Sequence, residues 1–350
     1  MITTLHDPIP GWPDLLAAHP SATVYHTAAW KAVIEGSFRG LEPCYLARAE
    51  PGNPLAMLVP GFVSRHAFRE ASFVSLPLTG YCDPLSDSSE PLRQGFEVLT
   101  ARQQRGSFAV AQLRCLTRQP EATEAGFSEH IGYVTHVVDV SRSPAELRRS
   151  FHNTSVQQRI RKAEEAGLGF EVANTGESLD VFYNLHSVSR RHRGLPPLPY
   201  RFFERMCRLL LPLDLMSFLL VRHEGRYISA MVLLKFGKYA HSEYTGTDPR
   251  FLSVNPNQFI NWKAIEYANQ EGYRYYDFGR SALANAGLVE FKDRWASQKI
   301  PLYYYFYPPL PEDALRRREM RKAGILGAAC RRAPIRLLRA ASTALYDLIV

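Results

Sequence analysis

Apolar and polar positions alternate most regularly in the middle of the second half of the chain. Three runs with a period of two, at residues 215–222, 227–236 and 239–245, predict three β-strands. The pairs Glu224-Gly225 and Gly237-Lys238 separate these runs, and glycine-containing pairs of this kind are typical of tight hairpin turns. The pattern therefore predicts a meander of three antiparallel strands.

Helical patterns and turn residues surround this meander. The segment Ser143-Pro144-Ala145-Glu146 is a capping box with proline at the first helical position, so it predicts a helix that starts there and ends at Gly167. Asn255-Pro256 predicts the start of another helix, which runs to Gly272. The remaining predicted elements are strand 170–173, helices 179–193 and 200–211, strand 275–278, helix 289–295 and strand 302–307. From residue 170 the predicted order is β-α-α-β-β-β-α-β-α-β.

The first half of the chain echoes this order loosely. The predicted elements are helix 28–36, strands 45–49, 55–63 and 71–76, helix 91–104, and strands 108–115 and 133–140. We therefore expect an α/β (α+β) fold with two tandem modules and mixed, mainly antiparallel sheets. The expected division is an N-terminal module at residues 1–140, a C-terminal module at 141–310 and a helical tail at 311–350.

Composition narrows the class of protein. The 350 residues are 46% hydrophobic and 22% charged, which excludes a disordered chain and a coiled coil. The most apolar stretch, 209–221, is too short to cross a bilayer and contains Pro212 and Asp214. No secretory signal pattern is visible at the start, so we expect a cytoplasmic protein that is at most membrane-peripheral. The five cysteines are scattered singly, which argues against a disulfide framework and against a metal site.

The net charge of +8 is concentrated in the tail. Residues 311–350 hold nine Arg or Lys against four Asp or Glu, a net of +5, so the rest of the chain carries only +3. Apolar residues recur at helical spacing from Ile335 to Ile349, with Arg332, Arg336 and Arg339 beside them. A basic amphipathic helix of this kind either contacts a membrane surface, here through residues 313–350, or packs on the body of the chain.

Three segments in the second half resemble the Fem-type family. They are Ser155-Val156-Gln157-Gln158-Arg159-Ile160-Arg161-Lys162-Ala163, Ser189-Arg190-Arg191-His192-Arg193-Gly194-Leu195-Pro196-Pro197, and Asp277-Phe278-Gly279-Arg280-Ser281 with the later Phe291-Lys292-Asp293-Arg294-Trp295. This family has the GNAT fold and includes peptidoglycan aminoacyltransferases and BioF-like acetyltransferases. The resemblance is good over residues 140–308, weak over 1–139 and absent from the tail. It implies two GNAT-like modules, the second of which is an acyltransferase.

Acyl transfer to an amine needs a bound activated carbonyl, a positive group or N–H for the oxyanion, and an unprotonated amine. The chain has eight lysines against thirty-four arginines, which makes Lys292 conspicuous, and the resemblance implies that it faces the reacting centre. Asp277 ends a strand, where it either orients the acceptor amine or caps a loop. Alternation places His241, Glu243 and Thr245 on one strand face and Tyr244 on the other, so Glu243 is the candidate general base.

The predicted catalytic residues are thus Lys292, Glu243 and Asp277. The predicted substrate- or donor-binding residues are Arg159, His186, Arg190, Arg193, Tyr244, Asn257, Arg280 and Ser281. His186, Arg190 and Arg193 share one helix face that suits an anion, although a solvated face is the alternative.

The sequence leaves the identity of the acyl donor undetermined. Members of the wider GNAT fold that use CoA thioesters often carry R/Q-x-x-G-x-G/A between a strand and a helix, and residues 246–257 lack this motif. We expect no tightly bound cofactor and either acyl-CoA or aminoacyl-tRNA as co-substrate. The expected function is transfer of an acyl group to an amine of a cell-envelope or sugar-nucleotide precursor, with a small-molecule or lipid-linked acceptor. The alternative is a non-catalytic GNAT-fold binding or scaffold protein of an envelope or polysaccharide pathway. A nucleic-acid binder, suggested by the basic helices, ranks last, and DNA is not an expected partner.

Overall fold

The first half of the chain forms small helices around two groups of strands. The structure, a computed structural model, describes residues 2–5, 12–66, 69–319 and 324–349. The strands of the first half are β1 (Ile2–Leu5), β2 (Leu41–Pro43), β3 (Tyr45–Glu50), β4 (Asn53–Val59), β5 (Phe62–His66), β6 (Arg69–Val74), β7 (Leu85–Ser86), β8 (Val110–Cys115) and β9 (Ser128–Asp139). The helices are α1 (Trp12–Ala18), α2 (Ala28–Ser37), α3 (Ser89–Gln104) and α4 (Pro120–Glu124). The run predicted as one strand at 55–63 is divided between β4 and β5, because Pro60 and Gly61 break the ladder.

The second half follows the predicted order closely. Its strands are β10 (Gly169–Val172), β11 (Met216–His223), β12 (Arg226–Phe236), β13 (Tyr239–Thr247), β14 (Tyr275–Asp277), β15 (Ser281–Ala282) and β16 (Gln298–Tyr307). Its helices are α5 (Pro144–Ser150), α6 (Gln158–Glu165), α7 (Gly176–His192), α8 (Tyr200–Leu210), α9 (Pro256–Gln270) and α10 (Ala286–Asp293). The predicted meander is confirmed, since β11, β12 and β13 pair antiparallel.

The helix predicted from residue 143 to Gly167 is wrong in one respect. The capping box does start α5, with the Ser143 hydroxyl accepting from the Glu146 N–H. The helix then stops at Phe151, and a π-helical turn at Asn153–Gln157 leads into α6. Phe151 is buried against the rings of Trp262 and Trp295, with centroids 5.8 and 5.2 Å away, so tertiary packing interrupts the helix.

One mixed sheet joins the two halves of the chain. In the described residues its order is β10-β11-β12-β13-β14-β9-β16-β8-β6-β5-β2, with β15 paired to β9, and a second sheet has the order β1-β3-β4-β7. Strand β16 from the second half lies between β9 and β8 of the first half, antiparallel to both. The pairs β13–β14 and β6–β8 are parallel and the others antiparallel, so the α/β class with mixed sheets is confirmed. The division into modules at residue 140 stays a prediction.

The two halves also share a hydrophobic core. Helix α2 packs on α8, and the ring of Phe202 lies 6.2 Å from Trp30 and 5.4 Å from Phe38 between centroids. On the opposite face of the sheet, α9 and α6 cover β11 and β12. This close-packed apolar core connects the two halves of the chain. Side chains of one half that face side chains of the other are therefore held at fixed distances.

The tail forms three helices, α11 (Glu312–Glu319), α12 (Gly324–Arg332) and α13 (Ile335–Ile349). Helix α13 lies against α7 and β5, and it buries Leu338, Ser342 and Tyr346. The apolar stripe therefore packs on the body of the chain, which was one of the two expected alternatives. In the described residues, no helix combines the length and the apolar character needed to cross a membrane.

Candidate active site

A cavity of about 890 Å³ opens where strands β13 and β14 separate. The two strands pair only from Tyr239 to His241, after which β13 continues to Thr247 and β14 ends at Asp277. The cavity is lined by residues of both halves: strands β5, β6 and β8 and the loop at residues 77–80 face α7, β13 and the loop after β14. A volume of this size suits a ligand as large as a nucleotide.

A β-bulge at Glu243 turns two successive side chains toward this cavity. Val232 pairs with Tyr244 and Leu233 with Ser242, so Glu243 is an extra residue without an opposite partner. Glu243 and Tyr244 both line the cavity. The prediction that Tyr244 lies on the face opposite Glu243 is therefore wrong, because the bulge shifts the alternation by one residue.

The Glu243 carboxylate is held by a tyrosine from the first half. Tyr25, in a 3₁₀ turn at Val24–His26, donates its hydroxyl to Glu243 Oε2 at 2.5 Å. Burial raises the pKa of Glu243, although the hydrogen bond from Tyr25 and the charge of His241 oppose that rise. A carboxylate that faces a cavity and has a raised pKa is suited to accept a proton from a substrate.

Asp277 lies beneath the cavity, fully buried, in a polar cluster contributed by both halves. Its carboxylate accepts hydrogen bonds from Tyr81 at 2.7 Å, Thr135 at 2.5 Å and the Gly279 N–H at 2.8 Å, and His241 Nδ1 lies 3.3 Å away. Burial alone would raise the pKa of Asp277, but the hydrogen bonds and charge of its neighbours lower it to about 2. Asp277 is therefore a fixed negative charge. By accepting from the Gly279 N–H it also caps the loop after β14, which was one of the two predicted roles.

Lys292 is buried on α10, only 5% exposed, which excludes an ordinary surface lysine. Its ammonium group donates to the carbonyl oxygen of Gly279 at 2.6 Å, and Gly279 itself lines the cavity. Burial lowers the pKa of Lys292 to about 8, against the opposing charges of Asp277 and Glu243. Lys292 is thus one hydrogen bond behind the cavity wall, where it supports the loop that carries Arg280.

Two arginines and two tyrosines form a stack in the cavity wall. The rings of Tyr133 and Tyr304 are stacked with centroids 4.7 Å apart. The Arg280 guanidinium lies 4.8 Å from the Tyr133 centroid and donates to the Tyr304 hydroxyl at 2.9 Å. Arg114 lies 5.7 Å from the Tyr304 centroid on β8. The stack fixes the orientation of both guanidinium groups, a property that favours binding of an anion with defined geometry.

Helix α7 forms another wall. His186 and Arg190 both line the cavity, one turn apart on the helix. His186 is buried, and its Nε2 accepts from the Leu198 N–H at 3.3 Å. Burial and the charges of Arg190 and Arg193 lower the pKa of His186 well below its usual value, so the ring is neutral. This face is therefore not simply solvated.

The structure brings some predicted residues to the cavity and not others. Glu243, Tyr244, Arg280, His186 and Arg190 line it, and Asp277 and Lys292 lie directly behind it.

The other four predicted residues do not line the cavity. Arg159 is exposed on α6, Arg193 is exposed at the end of α7, and Asn257 accepts a hydrogen bond from Thr247 at 2.8 Å. Ser281 is buried in β15. Their roles in binding stay predictions.

Sequence reasoning did not single out the contribution of the first half. Tyr25, Tyr81 and Thr135 bind the two acidic groups, and Arg114 belongs to the aromatic stack. The only signal was Arg114, a charged residue within the apolar run at residues 108–115. The tyrosines carry no local pattern that separates them from core residues.

Comparison with known proteins agrees with this architecture. Residues 150–293 match the acetyltransferase (GNAT) domain family. Over 186 residues the chain is 22% identical to a UDP-N-acetylmuramoylpentapeptide-lysine N(6)-alanyltransferase of Weissella viridescens, a match that spans 51% of this chain and about half (53%) of that enzyme.

Solved structures show the same fold over nearly the whole chain. The crystal structure of FemX superposes with a TM-score of 0.71 at 14% identity and covers 91% of this chain and 100% of FemX. A tandem GNAT protein from the clavulanic acid biosynthesis pathway gives a TM-score of 0.53 at 12% identity, with 89% of this chain and 99% of that chain covered. Residues 150–293 thus match the acetyltransferase (GNAT) domain family, and the chain as a whole has a fold like those of FemX and of a tandem GNAT protein.

Proposed function

We propose that this chain is an N-acyltransferase or aminoacyltransferase that transfers an acyl group to an amine of a cell-envelope or sugar-nucleotide precursor. The observation that carries the proposal is the content of the cavity. It combines a carboxylate with a raised pKa, Glu243, with the cations Arg190 and Arg280, which form no ion pair in the described part of the chain. The GNAT domain match and the likeness to an alanyltransferase support it.

The reaction follows from the placement of these groups. An acceptor amine enters as an ammonium ion and transfers a proton to Glu243, which burial has made more basic. The free amine attacks the donor carbonyl, and the carbonyl oxygen becomes negative. The cation that faces it is Arg280 on the cavity wall, and Lys292 supports the loop of Arg280 from behind by donating to the Gly279 carbonyl. The tetrahedral adduct then collapses: the bond from the carbonyl carbon to the donor's sulfur or oxygen breaks, the nitrogen gives up its extra proton to the leaving group, and the amide and the donor's thiol or alcohol are formed.

The cations of the cavity indicate an anionic substrate. Arg280 and Arg114 are oriented by stacking on tyrosines, and Arg190 faces them from α7. Arginine forks match phosphate and carboxylate groups in pairs of hydrogen bonds. The alanyltransferase of Weissella is named for a UDP-linked peptide, and the phosphate groups of a sugar-nucleotide of that class match the positive charges that line this cavity.

The donor in our proposal is an aminoacyl-tRNA or an acyl-CoA. Between β13 and α9, where a glycine-rich phosphate loop is expected for CoA, the chain forms a 3₁₀ turn at Pro249–Val254. Gly246 lies within β13, and it is needed for packing against α7, because a Cβ atom would lie 2.3 Å from the backbone nitrogen of His186. The lack of a phosphate loop favours the aminoacyl donor, in keeping with the alanyltransferase relative.

A cytoplasmic location, with peripheral membrane contact through residues 313–350, belongs to the same proposal. Arg331, Arg332 and Arg336 are exposed, and Leu337 is 63% exposed beside them. The apolar stripe of α13 packs on the body, so the proposed contact is electrostatic: the exposed arginines face an anionic membrane, where a lipid-carried precursor would be found.

The experiment supplies the full chain with alanyl-tRNA or acetyl-CoA and a UDP-linked muramoyl pentapeptide, and detects acylated product by mass spectrometry. We expect product with one donor, and a Glu243→Gln variant should be at least about a hundredfold slower. Glu129→Gln is the matched control, because Glu129 also accepts from a tyrosine, Tyr305 at 3.0 Å, away from the cavity. Binding of the acceptor without any transfer would favour the scaffold alternative and overturn the proposal.

A further inference from the structure

The last helix of the chain is part of the cavity wall. On α13 the buried residues Leu338, Ser342 and Tyr346 recur every four positions and form one face. This face lies against α7, where Arg339 donates to Asn184 Oδ1 at 2.6 Å and lies over the ring of Tyr183. Tyr346, at the end of the face, lines the cavity together with Arg190.

Tyr346 holds the Arg190 side chain. The Arg190 guanidinium donates to the Tyr346 hydroxyl at 2.6 Å through one nitrogen and to the Pro196 carbonyl at 3.0 Å through another. Both partners are neutral, and Arg190 forms no ion pair with any residue that the structure describes. Its positive charge is therefore oriented but not neutralised, which is the condition of a guanidinium kept for an anionic ligand.

The neighbouring residue fixes the helix to both halves of the chain. Asp347 Oδ1 accepts from the Arg201 guanidinium at 2.6 Å and from the Arg39 N–H at 3.3 Å. Arg201 belongs to α8 and Arg39 follows α2, so a single carboxylate connects both sides next to the cavity. Two successive residues, Tyr346 and Asp347, thus place the end of α13.

We propose that Tyr346 is a positioning residue that presents Arg190 to a phosphate group of the substrate, so that α13 is an integral part of the binding site. The inference rests on the proposed function and deepens it. Phosphate occurs in the sugar-nucleotide acceptor and in either donor, so UDP and coenzyme A are used as separate probes. The probe whose affinity depends on Arg190 identifies the substrate that this end of the cavity binds.

The test is a double-mutant cycle on the full chain, with Arg190→Gln, Tyr346→Phe and the combined variant. Dissociation constants for both probes come from calorimetry, and KM and kcat from the transfer assay. We expect Arg190→Gln to weaken binding of one probe at least about tenfold, as for a lost hydrogen bond to a charged group. Tyr346→Phe should weaken the same probe about threefold to tenfold through KM, with kcat unchanged. In the Arg190→Gln background it should have no further effect, because Tyr346 acts through Arg190.

Tyr227→Phe is the matched control, since its hydroxyl also bonds a charged side chain, Glu171 at 2.6 Å, at the start of β12 and away from the cavity. A purely structural role for Tyr346 would lower the melting temperature and add to the effect of Arg190→Gln; that result overturns the inference. So does normal binding by Tyr346→Phe when Arg190→Gln binds weakly. If the wild type neither binds a probe nor transfers an acyl group, it is the proposed function that fails.

Discussion

The hydrogen bond between Tyr25 and Glu243 gives the sharpest test of how the two halves cooperate. Tyr25→Phe removes only the hydroxyl group that donates to Glu243 at 2.5 Å. This bond stabilises the ionised carboxylate and so lowers the pKa of Glu243, whereas burial raises it. Without it the carboxylate must be less acidic, and the pKa of Glu243 rises further.

The size of the shift follows from the strength of the bond. A hydrogen bond to a charged group contributes about 1.5–3 kcal/mol, and about 1.4 kcal/mol corresponds to one pKa unit. Because Glu243 is partly open to the cavity, we take the lower end, a rise of about one unit. As a base, Glu243 works only when ionised, so activity is lost as the pH falls through its pKa. Tyr25→Phe should therefore move the acid limb of the kcat/KM profile about one pH unit upward.

The assay is the pH dependence of kcat/KM for the wild type and the variant, with the plateau at high pH as internal reference. Tyr305→Phe is the control, because that buried tyrosine donates to a different glutamate, Glu129. Identical acid limbs for the wild type and Tyr25→Phe would refute the role of Glu243 as the base. An equal shift in the control would show that the effect is not local.

Three further results are expected. Lys292→Ala should lower kcat by about two powers of ten in a folded protein, because the loop that presents Arg280 to the oxyanion loses its buried support, and unchanged kcat in the transfer assay would contradict that role. Asp277 has a folded pKa of about 2, below its usual value of 3.8, so its contribution of about 2 kcal/mol is present above pH 4 and lost as the pH falls toward 2. In urea unfolding, the free energy of unfolding of the wild type should therefore fall by about 2 kcal/mol more than that of Asp277→Asn between pH 4 and pH 2. Equal losses in the two proteins would contradict this role of Asp277. Gly246→Ala should destabilise the fold by about 1–3 kcal/mol in thermal unfolding, because its Cβ would meet the His186 backbone.

The sequence predicted elements whose signals are local. The β11–β12 turn at Glu224-Gly225 was readable, and both residues have positive φ, 49° and 74°, as a tight hairpin turn requires. The capping box at Ser143 was readable for the same reason, because cap and helix are neighbours in the chain. By contrast, the end of that helix at Phe151 depends on Trp262 and Trp295, more than a hundred residues away.

The site was predicted in part, for a related reason. Asp277 and Arg280 lie in a segment that resembles the family, and Glu243 was suggested by the alternation along its own strand. The orientation of Tyr244 relative to Glu243 was not predictable, since it depends on the bulge in β13, and pairing with β12 determines that bulge. The residues that bind them, such as Tyr25 and Tyr81, come from the other half of the chain, and only the folded sheet brings them close.

The most direct measurement is a crystal structure of the full chain with a UDP-linked peptide acceptor bound. The account predicts density in the cavity between β13 and α7, with the acceptor amine about 2.6–3.2 Å from the Glu243 carboxylate. The phosphate groups should contact Arg280 or Arg190 on the cavity wall. An acceptor bound outside this cavity, or with its amine far from Glu243, would contradict the account.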